Sequence, residues 1–215
     1  AVVDDPQLTV RLPIDEAENE VTMLRPHRRP IRIVFDSKAS LPVTSRLAQT
    51  AKETPVLVAV DEAVLNLDAP ARKNAEELAG CGCEIMPLLG SDYAERMRIL
   101  LHHLAERDVT NLLVEGGGTL LGLLFDAKLI DEIHVFIAPK LVGGNEAASP
   151  IGGTGFAKMA EAITLKNPQY RAVYGGATRY RCSPDYYVRP GDTVISTGQL
   201  KNFSRPSERC LSATR

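Results

Sequence analysis

Residues 109–144 read VTNLLVEGGGTLLGLLFDAKLIDEIHVFIAPKLVGG, and this stretch decides the fold class. Val109 to Val114 is a short apolar, β-branched run, the composition of a strand. Glu115-Gly116-Gly117-Gly118 follows, and then TLLGLLFDAKLI reads as a strongly apolar helix. Residues 132–138 (EIHVFIA) are another strand, closed by Pro139. His134 lies inside it and reads as a core or sheet-face residue. Strand, helix and strand in succession argue for an α/β fold with a mostly parallel central sheet flanked by helices.

The pattern extends upstream. Residues 31–36 (IRIVFD) and 56–60 (VLVAV) are apolar runs bounded by Asp36-Ser37, Pro55 and Asp61, and both predict strands. After Pro70, ARKNAEELAG is rich in helix formers and predicts a helix capped at Gly80. Residues 84–89 (EIMPLL) predict a strand at a sheet edge, because Pro87 has no backbone donor. Asp92 and Glu95 form a capping box. The helix it opens carries Met97, Leu100, Leu101 and Leu104 on one face. His102 and His103 are adjacent there and cannot both face one ligand. Downstream, Gly143, Gly144, Gly152, Gly153 and Gly155 mark a glycine-rich loop. From about Gly175 the periodicity fades, which predicts a domain over residues 1–175 and a divergent tail over 176–215.

Composition narrows the function classes. The 215 residues carry 25 Lys+Arg against 27 Asp+Glu, with 44% apolar residues, so the chain has enough apolar area for a core. Residues 177–215 are net +4 and the remainder net −6, but the basic residues are scattered, so no nucleic-acid partner is expected. No apolar run approaches the roughly 18 residues of a membrane helix, and residues 1–12 lack the pattern of a signal peptide. The cysteines are Cys81, Cys83, Cys182 and Cys210. A C-x-C is not zinc-knuckle spacing, and no disulfide framework is legible, so the expectation is no metal and a cytoplasmic location.

The strongest chemical signal is Glu115 to Gly122. It joins the carboxyl end of a strand to the start of a helix, the edge where open α/β sheets bind ligands. Glycines admit close approach of a ligand, and unpaired N–H groups at the helix start favour phosphate. The spacing Gly116, Gly118, Gly122 is one residue too long for the dinucleotide fingerprint, and no Gly-Lys-Ser/Thr of a P-loop follows. A phosphate cradle and a tight strand-to-helix turn therefore both remain open, with Thr119 as an added hydroxyl or N-cap. Ser37 falls on the same edge if its strand is parallel, although Asp-Ser is also a simple turn former. Arg11, after Asp4-Asp5-Pro6-Gln7-Leu8-Thr9-Val10, is suited either to a phosphate fork or to a surface ion pair.

Taken in order, DDPQLTVR, RPIRIVFDS and LLVEGGGTLLGLLFDAKLIDEIHVFIAPKLVGG resemble the reductase domain of the riboflavin-biosynthesis deaminase–reductase over roughly residues 1–165. The resemblance implies a dihydrofolate-reductase-like fold. It implies NADPH-dependent reduction of the ribosyl group of 5-amino-6-(5-phosphoribosylamino)uracil. By motif position, Asp4 and Ser37 would contact the cofactor, and the segment Gly117, Gly118, Thr119, Leu120, Leu121, Gly122 and Leu123 would wrap it. Leu8, Arg11 and Glu115 would contact substrate. Ser37 with Lys38 is the expected site of the cofactor's 2′-phosphate; no general acid is assigned. The implied partners are a phosphoribosylaminopyrimidine and a second copy of the chain. The family's segments upstream of D-D-P and its zinc deaminase motifs do not occur in the 215 residues, so the expectation is a domain without its N-terminal part. The competing readings are a silent dimerisation module of the same fold and a reductase of a pterin-like substrate.

Overall fold

A computed structural model describes residues 5–9, 30–141, 143–144, 149–172, 177–185, 195–196 and 199–200. The chain forms two compact units, Ala1–Leu100 and Leu101–Arg215.

The first unit is built on a three-stranded parallel sheet in the order β1 (Arg32–Phe35), β2 (Val56–Asp61), β3 (Glu84–Leu88). β2 is central, and its residues Val56 to Val60 are all buried. That explains its unbroken apolar run, since a parallel strand covered on both faces has no polar side to display. β3 lies at the edge, where Pro87 is tolerated. Three helices accompany the sheet: α1 (Arg46–Gln49), α2 (Glu62–Leu67) and α3 (Ala69–Cys81). Asp61 caps α2 by accepting from the Ala63 N–H at 2.9 Å, and Asp68 caps α3 through the Ala71 N–H at 3.3 Å. α3 runs through Gly80 and ends on Gly82, whose φ of +103° is the left-handed cap. The stop is thus two residues later than the sequence predicts, because Gly80 keeps helical geometry and only Gly82 needs positive φ. Val34, Leu41, Leu47, Val58, Val60 and Leu78 belong to the core of this unit.

α4 (Tyr93–Glu106) opens as predicted, with Asp92 accepting from the Glu95 N–H at 2.8 Å. The Glu95 carboxylate reaches the Ser91 N–H at 2.8 Å. Met97, Leu100, Leu101 and Leu104 are buried, as their spacing requires.

In the second unit, α5 (Gly118–Asp126) precedes an antiparallel sheet in the order β4 (Ile133–Ile137), β6 (Thr178–Asp185), β5 (Thr164–Ala172). Parallel pairing is therefore confined to β1–β3 among the described strands. Residues 178–185, inside the tail expected over 176–215, form the middle strand of this sheet. Farther on, β7 (Ile195–Ser196) pairs with β8 (Gln199–Leu200). The predicted strand at 109–114 is not formed: the segment from Val109 to Gly117 carries no ladder. Exposure still alternates from Asn111 to Gly116, the period of an extended chain without a partner. Among the described residues no helix is long and apolar enough to cross a membrane.

Candidate functional site

In the first unit, three anchors hold the segment Asp5 to Thr9. Asp5 accepts from the Arg46 N–H at 2.9 Å and pairs with its guanidinium at 3.6 Å. Gln7 gives its carbonyl to Arg32 at 3.2 Å. Leu8 packs against the core. Asp5 and Leu8 have φ of +39° and +49°, conformations that L-residues adopt only when surroundings impose them. Arg32 is the organiser. It is buried and donates to the Thr50 hydroxyl at 2.7 Å, to the Thr50 carbonyl at 3.0 Å and to the Thr54 carbonyl. Burial pulls its pKa below the usual arginine range. Asp4 and Arg11, expected on cofactor and substrate, lie outside the described residues.

Ser37 follows the end of β1, on the carboxyl edge of a sheet that is indeed parallel. Its hydroxyl lies 3.4 Å from that of Tyr93. Lys38 is exposed beside it. Behind Tyr93, Arg96 pairs with Asp61 at 2.8 Å and donates to the Gly90 carbonyl at 2.8 Å. Gly90 has φ of +147°, and a side chain there would press on Arg96. Tyr93, Arg96 and Asp61 were not singled out from sequence as site residues. The visible signal was the capping box, which places a helix start, and hence Tyr93, just beyond β3.

In the second unit, Glu115 is exposed three residues before α5. The N-cap of α5 is Gly117, not Thr119, and no side chain caps it. The glycines then divide by role. Gly118 and Gly122 sit one turn apart and face the backbone of residues 149–153. The Gly152 N–H donates to the Gly118 carbonyl at 2.9 Å. A Cβ on Gly118 would lie 2.8 Å from the Ser149 carbonyl, and one on Gly122 would overlap Gly152 and Gly153. Gly117 is different: a Cβ there would meet nothing within 4 Å. So two glycines serve close packing of loop on helix, while Gly117 leaves open space at the helix start. Leu120, Leu121 and Leu123 are partly buried along α5, and Thr119 is exposed.

The loop is tied down at the far end of α5. The Asp126 carboxylate accepts from the Thr154 N–H at 2.7 Å and the Gly155 N–H at 3.3 Å, and the Thr154 bond holds its pKa below the usual carboxylate range. Phe125 meets Phe156 edge-on at 5.8 Å. On the antiparallel sheet, Glu132 accepts from Arg181 and is bonded to His134. His134 is therefore a sheet residue with an acidic partner. The Arg181 hydrogen bond, then the His134 one, keep the Glu132 pKa low against its partial burial. Cys81, Cys83 and Cys182 are free thiols, and no cluster of three metal-ligating side chains occurs among the described residues.

A parallel three-stranded sheet with helices in the first unit defines an α/β protein. The chain belongs to the family described as the RibD C-terminal domain, whose model matches residues 1–176. It is 30% identical over 165 residues to the riboflavin biosynthesis protein RibD of Actinobacillus pleuropneumoniae, covering 77% of this chain and 39% of that protein. It is 34% identical over 170 residues to the 2,5-diamino-6-ribosylamino-4(3H)-pyrimidinone 5′-phosphate reductase of Methanothermobacter thermautotrophicus, covering 77% of this chain and 67% of that protein. The chain thus spans well under half of the length of the Actinobacillus relative. Among solved structures, RibD of Acinetobacter baumannii matches with a TM-score of 0.61 at 23% identity, over 86% of this chain and 44% of that one. That likeness bears out the dihydrofolate-reductase-like α/β fold.

Proposed function

We propose that this chain reduces the ribosyl group of a phosphoribosylaminopyrimidine, 5-amino-6-(5-phosphoribosylamino)uracil or its diaminopyrimidinone counterpart, with NADPH, in riboflavin biosynthesis. The observation that carries the reading is the start of α5: an open Gly117 without a side-chain cap, next to an exposed Glu115, in a chain of this family. Uncapped N–H groups and free space over the Cα suit a phosphate-bearing cofactor. Reduced nicotinamide, when bound, supplies the hydride. The protein's contribution is to hold the sugar carbon against it, so catalysis is mainly positioning. Glu115 accepts hydrogen bonds from substrate, and Leu8, held at positive φ by the Arg32 and Arg46 anchors, bounds it. Arg11 takes its phosphate, and Ser37 with Lys38 serves the cofactor. The same reading places the work in the cytoplasm, where free thiols persist.

Gly117→Ala tests it. The variant has room for its methyl and a native φ of −74°, so its melting midpoint is expected to match the parent. NADPH affinity, read by nucleotide fluorescence, is expected to fall about tenfold, roughly 1.4 kcal/mol. Unchanged affinity would remove α5 from the cofactor site.

The dimer belongs to this proposal too. Phe136, at the end of β4, is 59% exposed, apolar area that a second copy would cover. Phe136→Lys is expected to convert a dimer to a monomer in sedimentation velocity; a parent chain that sediments as a monomer would refute it.

A further inference from the structure

We infer that Tyr93 is the shelf on which the adenine ring of the dinucleotide stacks, beside the Ser37 hydroxyl. This deepens the cofactor reading and rests on it. Tyr93 is the first residue of α4, just past the carboxyl edge of the parallel sheet, where ligands of open α/β sheets lie. The residue is 47% exposed. Its ring is held in place. Phe35, the last residue of β1, lies 6.4 Å away, ring centre to ring centre. The Arg96 guanidinium carbon is 5.0 Å from the ring centre. Arg96 is itself fixed by Asp61 and the Gly90 carbonyl. A ring braced in this way loses little freedom on binding, and it retains a free surface for a planar partner.

Local charge selects what that partner is. The Arg96 cation is met by Asp61. The start of α4 is already occupied by carboxylates, since Asp92 accepts from the Glu95 N–H and Glu95 from Ser91. A phosphate placed on Tyr93 would face these two acids. A neutral heteroaromatic base has no such conflict. The adenine therefore lies on Tyr93, and the phosphates lie away from Asp92 and Glu95, on the side of Ser37 and the exposed Lys38. Stacking of a base on an aromatic face is worth roughly ten- to a hundredfold in affinity.

The test is calorimetric titration of the full chain with two halves of the cofactor: 2′,5′-ADP, which holds the adenine, and reduced nicotinamide mononucleotide, which does not. Tyr93→Leu is expected to weaken 2′,5′-ADP at least tenfold and to leave the mononucleotide unchanged. Tyr93→Phe keeps the ring face and is expected to stay within about threefold of the parent for both. Parental affinity of Tyr93→Leu for 2′,5′-ADP would put the adenine elsewhere and overturn the assignment. Equal loss of both halves together with a lowered melting midpoint would make Tyr93 a fold residue and overturn it as well. A parent chain that binds neither half would instead overturn the cofactor reading itself.

Discussion

Gly122→Ala is expected to destabilise the chain by about 2–4 kcal/mol, at or above the usual cost of overpacking. In isolation the change should help, because alanine exceeds glycine in helix propensity by about 1 kcal/mol. The site reverses the sign. A Cβ on Gly122 would overlap Gly152 and Gly153 and lie 2.5 Å from the Gly152 carbonyl oxygen. These obstacles are backbone, not the tip of a flexible side chain, so the whole segment 149–153 must lift from α5. Lifting it strains the Gly152-to-Gly118 hydrogen bond and the two bonds from Thr154 and Gly155 to Asp126. At this chain length the loss corresponds to a fall in melting midpoint of roughly 5–15 °C. Gly80→Ala is the control. It lies in α3 with nothing within 4 Å of the added carbon, and is expected to gain about 0.5–1 kcal/mol. Differential scanning calorimetry on the two variants reads the contrast. Equal midpoints would mean that residues 149–153 do not seat on α5 as described.

Gly122 also shows what kind of information a sequence holds. The run Gly116 to Gly122 marks the turn into α5, but it does not separate glycines that leave open space from glycines that admit another backbone. That division depends on residues 149–153, about thirty positions away. Elements whose cause is local were legible: the buried run of β2, the Asp92–Glu95 cap, and the single apolar face of α4. Elements whose cause is a partner were not. Residues 109–114 have a strand's composition but no ladder, because composition cannot supply a neighbour. The reverse happened at β6. The periodicity fades past Gly175, yet Thr178 to Asp185 forms a middle strand and holds Pro184, a residue unsuited to a position with two neighbours. The register resolves the conflict. β4 pairs with β6 only as far as Cys182, so Pro184 lies where β6 has one neighbour, β5, and needs no second donor. Of the site itself, Ser37 was legible as a strand terminus, whereas Tyr93 and its Arg96–Asp61 brace required three separate strand ends to be brought together.

Asp131→Asn is expected to make the chain more stable than the parent at pH 8 and no more stable at pH 4. Asp131 lies between α5 and β4, beside the buried Leu129 and Ile130, and is 7% exposed. Burial pushes its carboxyl up to about 8, against an ordinary value near 4. In the folded chain the group therefore keeps its proton through the range in which the unfolded chain has released it. Where the native state binds more protons than the unfolded state, stability falls as pH rises. The contribution of Asp131 is thus complete below about pH 4 and is lost progressively up to about pH 8, at no more than about 1.4 kcal/mol per pH unit. Over the whole window the loss is at most about 5–6 kcal/mol. Asparagine keeps the size and polarity of the neutral acid but cannot ionise, so its stability curve should be flat where the parent's descends. Glu132 and Asp126 work in the opposite sense. Their pKa values are held down by hydrogen bonds, so their stabilisation disappears on acidification, below the window in which Asp131 acts. Urea titrations at pH 5, 6, 7 and 8 separate the cases, because of these three carboxylates Asp131 alone has an effect that grows toward high pH. Parallel curves for parent and variant across that range would show that Asp131 is ionised and solvated in the folded chain.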